Sequence, residues 1–78
     1  MKQVVLYTKA GCHLCEVAKR VILSVRPRVE FGYTEVDIES DPDLFEDYRD
    51  DVPVIEIDGR RAFRHRVEAG AFLEKLRG

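Results

Sequence analysis

Seventy-eight residues carry 13 Lys and Arg against 15 Asp and Glu, a net charge of −2 at neutral pH. That balance gives no overall pull towards nucleic acid or anionic lipid, and the length allows one domain, residues 1–78, with a modest core. With two cysteines, no leader and no membrane-length apolar run, a cytoplasmic chain is expected.

Val4-Val5-Leu6-Tyr7 reads as a buried strand and Thr8-Lys9-Ala10-Gly11 as a turn. Apolar residues then recur at Leu14, Val17/Ala18, Val21/Ile22 and Val25, the spacing of one helical face. That helix should stop before Pro27, since the residue preceding a proline is pushed out of the helical region. Cys12 and Cys15 fall in its first turn, where unpaired N–H groups and the positive end of the helix dipole favour a thiolate. A bridge between them closes too short a loop to staple the fold, so they serve chemistry or a metal. A thiol of lowered pKa with a second thiol one turn behind is the minimal apparatus for making and breaking disulfides. His13, when protonated, and Lys9 would add to the field that favours the thiolate.

Val29 to Ile38 is expected as a second strand, although its apolar phase changes between Tyr33 and Val36. Either a bulge intervenes or both faces are covered. Ser40-Asp41-Pro42-Asp43 has the marks of a helix start: a capping side chain, a proline in the first turn and early acids. The short helix after it would bury Leu44, Phe45 and Tyr48. Nine acids lie between Glu35 and Asp51 against Arg49 alone, and Arg60, Arg61, Arg64 and Arg66 follow with His65 among them. Basic clusters of this kind bind phosphate or nucleic acid, but no aromatics interleave these arginines, so a solvated strand edge is the expectation.

Val54–Ile57 and Arg60–Phe63 flank Asp58-Gly59, a hairpin signal because a type I′ turn needs positive φ at both central residues. In that register Glu56 faces Arg61, Ile55 faces Ala62 and Val54 faces Phe63. The closing segment would bury Ala69, Phe72, Leu73 and Leu76 at helical spacing. Phe31, Tyr33, Phe45 and Phe63 complete the expected core. The order strand, helix, strand, helix, hairpin, helix fits an α/β fold. One sheet is covered by helices, and its first two strands run parallel through a crossover.

This order, with Tyr7-Thr8-Lys9 before the turn, Cys12-His13-Leu14-Cys15 at the helix start, Val52-Pro53 opening the third strand and the Asp58-Gly59 hairpin, resembles the glutaredoxin branch of the thioredoxin-like fold. The resemblance covers essentially the whole chain, and its nearest group is the small glutaredoxin-like proteins carrying Cys-His-Leu-Cys. It implies a four-stranded mixed sheet and a cis bond before Pro53. It also implies that Pro53 lies against the dithiol and that the Val52 backbone pairs with an extended substrate beside Cys12. Tyr7, Lys9, Leu14, Val52 and Pro53 would form the substrate side. The chain departs from the family at Arg64-His65-Arg66-Val67-Glu68, where glutaredoxins usually carry a glycine pair and an acid for the glutathione amine. Leu14 replaces the usual aromatic and Asp51 the usual threonine. Disulfide exchange survives these departures, whereas the glutathione contacts reduce to Lys9 and Glu68.

The reading that follows is a dithiol oxidoreductase of protein or small-molecule disulfides. Cys12, nearer the helix start, attacks, and Cys15 resolves the mixed disulfide. It works as a monomer with no bound cofactor, recharged by glutathione as co-substrate or by a flavoprotein reductase. Two other readings stand beside it. One is an iron–sulfur or metal site shared between subunits with glutathione's help; zinc wants four ligands, and Cys12, Cys15 and at best His13 or His65 do not close a site in one chain. The other is a non-catalytic module whose surface responds to the Cys12–Cys15 bridge.

Overall fold

The computed structural model describes residues 1–78. Strand β1 (Gln3–Thr8) leads into helix α1 (His13–Val25), and β2 (Gly32–Asp37) into a 3₁₀ turn (Ile38–Ser40) and helix α2 (Pro42–Tyr48). Strands β3 (Val54–Ile57) and β4 (Arg60–Arg64) form the hairpin, and α3 (Ala69–Arg77) closes the chain. The four strands make one sheet in the order β2-β1-β3-β4. β2 runs parallel to β1, while β3 and β4 are antiparallel to their neighbours, which is the mixed sheet the resemblance implies. No helix is long and apolar enough to cross a membrane.

Alternation along the strands divides the apolar residues between two cores. Val4, Leu6, Ile55 and Ile57 meet Ala18, Ile22 and Val25 of α1 and Phe72 and Leu76 of α3 in the larger one. Phe72 and Ile22 are fully buried there, each a contribution of about 1.5–3 kcal/mol. Phe31 meets Phe72 edge to face with ring centres 5.7 Å apart, and Phe63 packs at the margin. On the opposite face Tyr48, Ile38 and Val54 form a smaller core against which Leu44 and Phe45 of α2 pack. Cys15 and Val52 belong to that smaller core.

Three local expectations need correction. Residues 29–31 lie outside β2, whose pairing with β1 runs without a shift from Gly32 to Asp37. Tyr33 and Val36 therefore point to opposite faces of a regular strand and are both half-buried, so coverage of both faces explains the change of phase. In the hairpin, Glu56 faces Arg61 as expected, but Ile55 faces Phe63 and Val54 faces Arg64. A bulge at Ala62 allows Ala62 and Phe63 both to pack on the larger core, which strict alternation forbids. Ala69 opens α3 on the exposed side, and Val67 takes the buried place instead.

Asp58 and Gly59 have φ of 52° and 79°, both positive as a type I′ turn requires. Asp41 caps α2 through Asp43 N–H at 2.9 Å, with Pro42 at the first helical position. α1 gives way to a turn at Pro27, where the Arg26 guanidinium lies over the Phe31 ring at 5.5 Å and ties the helix end to the start of β2.

Candidate active site

β1 ends at Thr8, and the chain turns through Gly11, whose φ of 74° is open to glycine, before α1 begins. Cys12 is the N-cap of α1, in extended conformation, and Cys15 is its third helical residue. The two are joined by a disulfide with their Cα atoms 5.2 Å apart. The Cys15 backbone N–H donates to Cys12 Sγ at 3.2 Å, so the sulfur occupies the position in which Ser or Asp oxygens usually cap a helix. Their exposures differ. Cys12 is half-buried at the surface, whereas Cys15 is 3% exposed beneath it.

The peptide bond between Val52 and Pro53 is cis. Val52 packs in the same small core as Cys15, with Cys12 against it, so the loop that ends in Pro53 lies beside the dithiol. The Val52 N–H donates to the Tyr48 carbonyl at 3.1 Å, which leaves the Val52 carbonyl as that residue's hydrogen-bonding group free of a backbone partner. The Pro53 carbonyl accepts the His65 N–H at 2.8 Å. Asp51, just ahead of the loop, places one carboxylate oxygen 3.8 Å from Arg64 and 3.9 Å from His65. His65 has φ 68°, in the left-handed region.

Other residues singled out in the sequence are placed as follows. His13 is exposed on the first turn of α1. Lys9 directs its ammonium to the Arg49 carbonyl at the end of α2, at 3.3 Å, rather than to the sulfurs. Leu14 is 41% exposed and, with Val17, lines a groove of about 360 Å³ beside the dithiol whose far wall is His65, Arg66, Val67 and Glu68. Tyr7 packs against the small core, but its hydroxyl turns inward and donates to Glu56 Oε1 at 3.1 Å. Tyr48 donates to the other oxygen, Oε2, at 3.1 Å, with the Arg61 guanidinium over its ring at 4.9 Å. Burial raises the Tyr7 phenol to about 12, helped by the hydrogen bond and the negative charge of Glu56.

Sequence reasoning missed the Tyr7–Glu56–Tyr48 bridge and the Asp51–His65 link. A signal for the first exists: Glu56 is the one polar residue in Val54-Ile55-Glu56-Ile57, a run otherwise buried. The second has none, because it depends on the backbone of residue 65. No three His, Cys, Asp or Glu side chains are grouped to hold a metal ion.

With this geometry in place, similarity to known proteins is informative. The model of a glutaredoxin-like domain (DUF836) matches residues 3–77. The Dictyostelium discoideum glutaredoxin-like protein YDR286C homolog is 35% identical over 68 residues, covering 80% of this chain and 63% of that one. The chain thus spans a little under two thirds of that relative's length. Among solved structures, a structural-genomics target from X. campestris superposes with a TM-score of 0.78 at 27% identity, over 95% of each chain. Protein Ne2328 of Nitrosomonas europaea gives 0.81 at 21% identity, over 95% of this chain and 89% of that one. Thioredoxin-2, described as a component of malaria parasite protein secretion machinery, gives 0.77 at 13% identity, over 99% and 82%. The last two likenesses concern the fold alone, which is thioredoxin-like.

Proposed function

The chain belongs to the glutaredoxin-like domain family, and from that premise we propose that it is a thiol–disulfide oxidoreductase acting on protein or small-molecule disulfides through Cys12 and Cys15. The observation that carries the reading is the asymmetry of the pair. One sulfur caps a 13-residue helix at the surface and accepts a backbone N–H, and the other is buried directly behind it. In the reduced protein the same N–H and the helix dipole stabilise a Cys12 thiolate, at a position of the kind that lowers thiol pKa values. His13 adds positive charge nearby when protonated.

The reaction balances as two exchanges. The Cys12 thiolate attacks a substrate disulfide, forms a mixed disulfide and releases the first substrate thiolate, which takes a proton. Cys15 then loses its proton and attacks Cys12 Sγ, which forms the Cys12–Cys15 bridge and releases the second substrate thiol. Two electrons pass to the substrate, and an external reductant, glutathione or a flavoprotein reductase, returns them. The exposed Leu14 and the carbonyl of Val52 face the substrate, the carbonyl accepting an N–H from an extended segment.

Single-cysteine variants test this. Cys15→Ser should trap a stable mixed disulfide with a model disulfide, visible by mass spectrometry. Cys12→Ser should form none and lose all turnover with insulin as substrate. Equal alkylation of both cysteines in the reduced protein, or trapping by Cys12→Ser alone, would overturn the assignment. Oxidised protein offered glutathione, or a flavoprotein reductase with NADPH, identifies the reductant.

A further inference from the structure

The arginines that stand together in the sequence are dispersed by the fold. Arg64 and His65 turn to Asp51, Arg61 lies over the Tyr48 ring, and Arg66 lines the groove beside the dithiol. Arg60 goes elsewhere. With Lys2, Ile57, Asp58, Arg61, Ala62 and Lys75 it lines a hollow of about 520 Å³, larger than the other three on the molecule. This hollow lies at the hairpin tip, beside the start of β1, while the dithiol follows the end of β1. A strand of six residues separates them, which at roughly 3.3 Å per residue is about 20 Å.

Lys2, Arg60 and Lys75 reach this hollow from the residue before β1, the hairpin and the last helix, and Arg61 of the hairpin also lines it. Asp58 is the only carboxylate lining it, and both of its oxygens are engaged. Oδ1 accepts the Gln3 N–H at 2.8 Å, and Oδ2 lies 3.8 Å from Lys2 Nζ. Arg60 and Lys75 make no ion pair, and Glu74 faces the neighbouring hollow with Phe63 and Ala71. Four cations against one committed carboxylate leave an excess of three positive charges around a concave surface. The dipole of α3 accounts for a cation in its last turn, and Arg77 already supplies one there. It does not account for Arg60 and Lys2 converging on Lys75. Concave, singly signed surfaces focus the field on a counter-ion, and the volume is in the range of small-ligand sites. Ile57 and Ala62 add an apolar strip.

We infer that this hollow binds a small phosphorylated anion carrying at least two negative charges. Arg60 grips the phosphate as a fork, Lys2 and Lys75 act as point charges, and the apolar strip takes the body of the ligand.

The oxidised, isotope-labelled protein titrated with pyrophosphate at low ionic strength, followed by amide NMR shifts, tests it. Saturable shifts should centre on Lys2, Asp58 to Arg60 and Lys75. Lys75→Glu should weaken binding by about tenfold, the factor that 1.4 kcal/mol represents, while Cys12 alkylation in the reduced protein stays unchanged. Arg60→Gln and Lys75→Gln give the same readout without charge reversal. Shifts spread equally over Arg64 and Arg66, or an affinity indifferent to both glutamine variants, would overturn the inference. So would tighter binding of a single-stranded oligonucleotide through Arg64 and Arg66, which would make the surface a nucleic-acid one. The two sites lie at opposite ends of β1, so a failed titration leaves the redox reading standing.

Discussion

His65 holds a backbone conformation, φ 68°, that side chains with a Cβ adopt at a cost, though histidine tolerates it better than most. It is kept there by its N–H to Pro53 and by the Asp51 carboxylate. Bulky cations stand where the resemblance to glutaredoxins implies a glycine pair, and residue 65 keeps a left-handed turn nonetheless. Comparing two substitutions isolates the backbone term, because both delete the imidazole. His65→Gly should leave the unfolding free energy from urea titration within about 1 kcal/mol of the parent, whereas His65→Val should lower stability by about 1–3 kcal/mol more. Tyr7 makes a second prediction at this scale. Its phenol is raised from 10.0 to about 12 by burial and by Glu56, and Tyr33 is raised to about 12 by burial and Glu35, with Arg26 opposing. The folded state therefore holds these protons more tightly than the unfolded chain. The stability they contribute is complete below pH 10 and should be lost between pH 10 and 12. Urea unfolding of the oxidised protein across that range should show the decline, and Tyr7→Phe should remove the share of Tyr7 and leave that of Tyr33.

The hairpin shows what a sequence pattern does and does not contain. Asp58-Gly59 identified the turn, and the first two pairs of the ladder followed from it. The bulge did not follow, because Arg60-Arg61-Ala62-Phe63 alternates acceptably in either register. Only the demand of the larger core for both Ala62 and Phe63 decides between them, and that demand is tertiary. Deleting Ala62 should restore regular pairing while Phe63 stays opposite Ile55 and Arg64 opposite Val54. Only the partly buried Ala62 side chain leaves the larger core, so the loss should be about 1 kcal/mol. A urea midpoint lowered by much more than this would mean that the hairpin needs the bulge itself and not only the packing of Ala62. The start of α1 was legible for the opposite reason. Capping, dipole and the cysteine spacing are local properties, so the placement of Cys12 and Cys15 could be read before any contact was known. The wall of the groove beside them could not, since His65, Arg66 and Glu68 reach it only through the loop after β4.

Across the whole molecule the two cores are unequal, and the site lies on the weaker side. The larger core joins α1, α3 and the sheet, while α2 is seven residues long and belongs to a core of five buried side chains, one of them its own Tyr48. The Tyr48–Glu56 hydrogen bond and the Arg61 guanidinium over Tyr48 hold that helix to the sheet. The Val52 N–H, bonded to the Tyr48 carbonyl, makes the cis-proline loop an extension of the same unit. A unit with few apolar contacts opens at lower free energy than the global transition. Native-state hydrogen exchange should therefore show Phe45, Arg49 and Val52 amides exchanging through one shared opening, well below that of β1, β3 and the middle of α1. Tyr48→Phe removes a hydrogen bond to a charged group, a loss of about 1.5–3 kcal/mol. It should lower that shared opening by a similar amount while α1 loses protection only through global unfolding. Exchange of α2 and α1 with equal protection would instead mean that the dithiol and the loop beside it move only when the whole chain unfolds. If the two part as expected, the loop facing Cys12 can yield to an incoming backbone while the helix that Cys12 caps stays in place.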